Sequence, residues 1–238
     1  MRHRLSDLPG FSVLGQQTDF IAGYDFSPDG ALLYALDEDT RQLGTTDPAT
    51  GAFTPIGAAA PLAGHLWTGL AVDPMLGTLY ATSSDEDTTS TLYTLDPGTG
   101  EATFVGSTTV APLLVAVAMN CAGELYGHDV IEDAIYELDP ATGAATLVGP
   151  TGVDSNFAQG MDFDNGTGTL YAWTYQGGGA NQYGTIDLAT GALTPLSIDD
   201  PLAELEAAAL TYCPAFALIF SDGFESGDTA AWDATVPD

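Results

Sequence analysis

The sequence contains no lysine, and its arginines are only three: Arg2, Arg4 and Arg41. Against them stand 33 Asp and Glu residues, a formal net charge of −30 over 238 residues. A field of that sign repels phosphate backbones, which excludes nucleic acid as a partner class. It repels anionic membrane surfaces for the same reason. Without lysine there is no lysine nucleophile and no Ser-x-x-Lys motif. Cysteine is nearly absent: Cys121 and Cys213 form no Cys-x-x-Cys pair, so neither a zinc site nor a redox motif is signalled. One disulfide or two buried thiols are both compatible with that count. Long apolar runs are missing too. The longest, Val110–Met119, falls far short of the ~20 residues a membrane helix needs. Met1-Arg2-His3-Arg4 runs into Leu5-Ser6-Asp7-Leu8-Pro9-Gly10 with no apolar core, so no signal peptide is expected in this chain. Gly-x-Ser-x-Gly, His-Glu-x-x-His and P-loop signatures are all lacking.

What is present is a repeat. Leu-Tyr pairs occur at Leu33-Tyr34, Leu79-Tyr80, Leu125-Tyr126 and Leu170-Tyr171, so the tyrosines recur every 45 or 46 residues. A turn precedes each pair, as at Pro28-Asp29-Gly30 and Cys121-Ala122-Gly123. A second turn follows it: Asp47-Pro48-Ala49-Thr50-Gly51, Asp96-Pro97-Gly98-Thr99-Gly100, Asp139-Pro140-Ala141-Thr142-Gly143 and Asp187-Leu188-Ala189-Thr190-Gly191. Proline presets φ for such turns and glycine supplies the positive φ that closes them. Between the turns lie short period-2 runs, read as four strands A to D per unit. Four antiparallel strands in about 45 residues make one propeller blade. A blade cannot bury both faces alone, so blades must stack in a ring.

The expected fold is therefore an all-β β-propeller. Phe11-Ser12-Val13-Leu14-Gly15 matches strand D without its own A, B and C. Ala209–Pro214 matches strand A, and Phe216–Phe220 could be strand B. A fifth blade assembled from both termini would close the ring; the alternative is four blades. Residues 1–10 read as a disordered leader, 11–214 as the propeller, and 215–238 as a C-terminal strand and acidic tail. Pro201–Leu210 has helical character through Leu202, Leu205 and its alanines.

The units resemble the propeller repeats of secreted and cell-surface bacterial proteins, most of them uncharacterised, in their Leu-Tyr pairs and Asp-Pro-x-Thr-Gly…Thr-x-Val-Gly motifs. The likeness covers roughly Phe11 to Pro214. The tail Phe220–Trp232 resembles a C-terminal segment of some exported bacterial proteins and the opening strand of a carbohydrate-binding jelly roll. Both likenesses imply an extracellular or cell-surface location.

Function is expected on the face carrying the B–C and D–A loops, because these differ from blade to blade and variable loops on a rigid scaffold are where binding lives. That face is acidic, with Asp37, Asp39, Asp85, Asp87 and Asp129. Loop carboxylates are the hard-oxygen donors Ca²⁺ prefers, although no EF-hand spacing is present. Asp25 and Asp162 occupy the middle of strand A, where they would look into the central channel and could hold a cation. His65 and His128 lie at the same rim. Trp67, Trp173 and Tyr175 could form a sugar-stacking patch. The leading expectation is a monomeric, non-enzymatic binding module for protein or glycan, assisted by Ca²⁺. The alternative is a metal-dependent hydrolase of the propeller lactonase type, for which Asp25 and Asp162 are the available inner carboxylates.

Overall fold

Short alternating runs punctuated by Asp, Pro and Gly dictate antiparallel meanders, and the computed structural model consists of them. It describes residues 20–108, 110–157, 159–177, 181–197 and 209–210. The first blade is β1 (Ile21–Phe26), β2 (Leu33–Asp37), β3 (Gln42–Thr46) and β4 (Phe53–Ala58). The second is β5 (Leu66–Val72), β6 (Leu79–Ser84), β7 (Ser90–Leu95) and β8 (Ala102–Thr108). The third is β9 (Leu114–Met119), β10 (Leu125–Asp129), β11 (Ala134–Leu138) and β12 (Ala145–Pro150). The fourth is β13 (Gln159–Asp164), β14 (Thr169–Tyr175), β15 (Asn181–Ile186) and β16 (Leu193–Ser197). Each blade is one four-stranded sheet whose strands pair in chain order. The protein is an all-β propeller, and its described residues form four blades, as the four-blade alternative has it. The expected fifth blade lies outside the described residues apart from Ala209 and Leu210, as does the segment with helical character apart from the same two. Among the described residues no helix is long and apolar enough to cross a membrane.

The inner strands β1, β5, β9 and β13 neighbour one another in that order, so the core is divided into wedges between blades. The first wedge joins Leu36 and Leu43 to Trp67, Leu70, Val72 and Leu79. Ala71 and Leu92 then face the third blade, meeting Leu114, Val117 and Leu125. Ala116 and Ala118 face the fourth blade, meeting Met161, Phe163 and Leu170. Adjacent residues of one strand thus serve opposite wedges, which is the period-2 pattern in space. Near the axis the blades converge, and side chains shrink accordingly: a Cβ at Gly23 would overlap Leu70, and one at Gly69 would crowd Val117.

The repeated second turn is built alike in all four units. The carboxylate of Asp47, Asp96, Asp139 or Asp187 accepts from the backbone N–H two residues on, at 2.8–2.9 Å. The closing Gly51, Gly100, Gly143 and Gly191 sit at φ of +76°, +77°, +73° and +76°, the left-handed region that glycine enters without a Cβ penalty. Hydrogen bonding holds the carboxyls of Asp47, Asp96 and Asp139 below the usual carboxylate range. Cys121, in the A–B turn of the third blade, is disulfide-bonded, and the only other cysteine in the sequence is Cys213.

Candidate functional site

Inner strands expose one edge of unpaired backbone groups to the axis. In the first blade Asp25 answers this: its carboxylate accepts from Phe26 N at 2.6 Å and from Val72 N of the next blade at 2.6 Å. Asp162 does the same in the fourth, accepting from Phe163 N at 2.7 Å and Leu210 N at 2.5 Å. Where the middle position is Ala71 or Ala118, the residue simply packs into the wedge. Both aspartates are buried. Burial raises the Asp25 carboxyl well above its usual range, and repulsion from Asp162 adds to this. Burial pushes Asp162 up to about 7, against the lowering effect of its two backbone N–H donors. The two therefore feel each other across the axis, and each oxygen already holds a backbone donor. Beside them a narrow cavity is lined by Gly23, Gly69, Ala116, Gln159 and Gly160. Gln159 anchors its amide nitrogen on Asn156 O, Phe157 O and Tyr175 O. Its Oε1 is buried without a hydrogen-bond partner, one free acceptor at the axis.

On the rim, most of the acidic residues singled out in the sequence hold loops together. Asp37 is buried and accepts from Thr40 N and Thr40 Oγ1 at 3.1 and 2.7 Å. Asp39 is exposed and binds Phe20 N at 3.0 Å. Asp85 caps its own loop through Thr88 and Thr89, and these donors lower its carboxyl. Asp87 is exposed. Asp129 is fully buried and accepts three backbone N–H groups, from Leu113, Ile131 and Glu132, at 2.6, 3.0 and 2.8 Å. Glu38 and Asp133, on the same B–C loops, bridge blades: Glu38 accepts from Trp67 N at 2.7 Å and Asp133 from Ser155 N at 2.7 Å. Among the described residues no three His, Cys, Asp or Glu side chains come together as a metal-binding group. An Asp129→Ala variant strands three donors inside the rim. It is expected to lose about 2–3 kcal/mol, read as a lower midpoint in urea at unchanged slope.

The rim tryptophans and histidines are buried rather than displayed. Trp67 is 1% exposed, donates Nε1 to Ala59 O at 2.9 Å and packs edge-on against Tyr93. Trp173 is buried beside Tyr183, with ring centroids 5.8 Å apart, while Tyr175 is half-buried. His65 sits 3.2 Å from Ser83 Oγ, which meets Thr91 Oγ1 at 2.6 Å, and Thr91 donates to Tyr93 OH at 3.2 Å. A buried His–Ser pair invites a nucleophile reading, but Ser83 is wholly enclosed, so the chain of hydroxyls ties loop to strands. His128 lies 3.4 Å from Ser155 Oγ, and burial depresses it to about 4, keeping it neutral near pH 7.

What the rim does display is apolar. Phe20, Leu62, Val110 and Phe157 are 44, 46, 50 and 52% exposed, one on the D–A side of each blade. Glu86, Asp87, Glu132 and Asp154 lie exposed on the loops of the same face. The sequence signalled the carboxylates; the apolar ring was missed because single hydrophobic residues inside polar loops carry no periodic pattern.

A family model described as a repeat of unknown function (DUF6923) matches residues 23–212. Among curated proteins none matches the chain. Solved structures share the fold at low identity. A chain of the nidogen/laminin complex is 17% identical with a TM-score of 0.52, over 71% of this chain and 61% of that one. The present chain thus spans about three fifths of that relative. The PQQ-bound aldose sugar dehydrogenase of Streptomyces coelicolor is 14% identical, TM-score 0.55, over 84% and 74%. A calcium-binding protein, regucalcin, from Agrobacterium tumefaciens is 16% identical, TM-score 0.51, over 79% and 77%. Binding proteins and enzymes both occur on this fold, so the likeness carries architecture alone.

Proposed function

Because the chain belongs to the family of the repeat of unknown function (DUF6923), a family defined by its repeat and not by a reaction, we propose that it is a non-enzymatic binding module of an exported bacterial protein. The observation that carries this reading is the ring of four exposed apolar side chains, Phe20, Leu62, Val110 and Phe157, on the face of the variable loops. Apolar anchors on a rim of fixed geometry are what a protein or glycan partner needs. The surrounding carboxylates favour a partner with a cationic surface and speed its approach. The disulfide at Cys121 supports export, since such bonds persist in oxidising compartments. Calcium enters this reading at the exposed loop carboxylates Asp39 and Asp87, since both oxygens of Asp25 and of Asp162 already accept backbone N–H groups.

The test is a pair of arrays, one of glycans and one of extracellular protein domains, probed with the full chain and with a Phe20→Ser/Phe157→Ser variant. At least one ligand should bind the full chain and lose tenfold or more in affinity in the variant, whose melting temperature stays unchanged. The loss follows from removing two anchors at roughly 1 kcal/mol or more each. Binding that is indifferent to these two residues, or an empty pair of arrays, would sink the reading.

A further inference from the structure

The outer edge of each blade is its strand D, and an edge strand carries backbone N–H and C=O groups that another strand can pair with. Among the described residues β4, β8, β12 and β16 each pair only with the strand C before them. A proline in the middle of such a strand withholds its donor and blocks further pairing. β4 has Pro55 there and β16 has Pro195. In β8 and β12 the aligned residues are Phe104 and Leu147. Strand pairing gives this alignment: Pro55 stands opposite Gly44, Pro195 opposite Gly184, Phe104 opposite Tyr93 and Leu147 opposite Tyr136. Two edges are thus unblocked, and each shows a large apolar side chain, Phe104 at 51% and Leu147 at 57% exposure.

The third blade departs from the repeat a second time, one residue away. Opposite Thr54, Thr103 and Thr194, strand C carries a threonine: Thr45, Thr94 and Thr185. Opposite Thr146 it carries Glu137, which is exposed. Glu124, also exposed, lies close by: burial first, then the charges of Glu124 and Glu137, raise the Tyr126 hydroxyl. Successive residues of a strand face opposite ways. One side of the β12 edge therefore offers Leu147 beside Tyr136, and the other offers Thr146 with Glu137 one strand further in. No residue of Ala145–Pro150 is charged. Pro150 closes the strand, and Gly149 packs on Thr190 and Gly191 of the fourth blade's C–D turn, so the open part of the edge is 145–148.

We propose that the outer edge of β12 takes an extended segment of a partner protein as a further strand of the third blade, a segment whose side chains alternate apolar and basic. Its apolar residues lie against Leu147. Its lysines or arginines lie on the Thr146 side, towards Glu137 and Glu124. Backbone pairing supplies affinity, and the two unlike sides supply selection. Charge decides between occupants. A second copy would bring another net charge of −30 to an edge flanked by carboxylates, whereas a basic strand is drawn to it. The surface lies on the outer strand of a blade, apart from the apolar ring of the loop face, and does not depend on that reading.

The probe is a labelled peptide of about eight residues alternating lysine and valine, titrated by fluorescence anisotropy into the full-length chain at physiological salt. One comparator is the same peptide N-methylated at alternate residues, which keeps the charge and loses the backbone donors. The other alternates glutamate and valine. Only the unmethylated lysine–valine peptide should bind, and it should slow amide hydrogen exchange at 145–149. Leu147→Pro, which installs the residue of β4 and β16, should weaken binding about tenfold. Glu137→Thr, which installs the residue of the other three blades, should weaken it about threefold. Phe104→Pro on β8 should leave it unchanged. If Leu147→Pro does not fold, Glu137→Thr and the exchange map decide. A peptide that fails to bind, a methylated peptide that binds equally, binding indifferent to either third-blade substitution, or protection at 102–108 instead overturns the proposal. Light scattering that finds a dimer dissociated by Leu147→Pro would seat a second copy on the edge and overturn it too.

Discussion

A Trp67→Ala variant is expected to melt on the order of 10 °C below the native chain, a loss of about 3–5 kcal/mol. Trp67 is among the largest fully buried side chains and sits in the wedge between the first two blades, against Leu36, Leu43 and Tyr93. Three costs combine. The indole leaves a void between two stacked sheets that cannot slide together without breaking the ring. Its edge-to-face contact with Tyr93 is lost. The Ala59 carbonyl, which accepts Nε1 at 2.9 Å, loses its donor inside the core. Trp67→Phe separates these terms, because it keeps most of the volume and removes only the donor. It is expected to cost about 1–2 kcal/mol. Differential scanning calorimetry on both variants gives the comparison. A Trp67→Ala melt within 2 or 3 °C of the native chain would mean that this wedge collapses freely. A sugar-stacking role for Trp67 predicts the opposite pattern: lost glycan binding at unchanged stability.

The blades were legible because both of their signals are strictly periodic. Turn chemistry recurs at Asp-Pro-x-Thr-Gly, and alternation in runs such as Leu92-Tyr93-Thr94-Leu95 sends adjacent side chains into different wedges. The described strand boundaries follow that pattern through all four units. The site was less legible, because burial there is decided by neighbours that the sequence does not place. Trp67, Trp173, His65 and His128 stand beside variable loops in the sequence, yet the converging blades enclose all four. Asp37 and Asp129 read as loop carboxylates; in space they face inward, taking unpaired N–H groups of their own tight turns and, for Asp129, Leu113 N of the preceding D–A loop. Asp25 and Asp162 were visible as odd residues in an otherwise small, apolar position. What was not visible is that each reaches across to a backbone N–H beyond its own blade, as Asp25 does to Val72.

Stability measured against pH should isolate the axial pair. The Asp162 carboxyl is raised to about 7 in the folded chain, whereas an exposed aspartate titrates near 4. Between those values the folded state holds a proton that the unfolded state has released, so folding stability falls as pH rises through this window. The swing for one such group is on the order of 4 kcal/mol. Asp25 is raised in the same direction and adds to the decline. His128 opposes it: its folded value is depressed to about 4, so the unfolded chain binds the extra proton between about 4 and 6.5, and stability there rises with pH. The native curve therefore declines gently below about pH 6.5, where His128 partly offsets the aspartates, and more steeply from there to about pH 7, where the Asp162 window closes. Asp162→Asn removes one carboxyl and relieves Asp25 of its repulsion. Asparagine cannot accept both Phe163 N and Leu210 N, so its absolute stability drops, and the informative quantity is the difference from the native chain. That difference should shrink by several kcal/mol between pH 5 and pH 8, measured by urea denaturation in buffers of matched ionic strength. A difference that stays constant across that range would mean that both carboxylates are already ionised in the fold. The axis would then carry two solvated charges instead of one shared, reluctantly ionised pair.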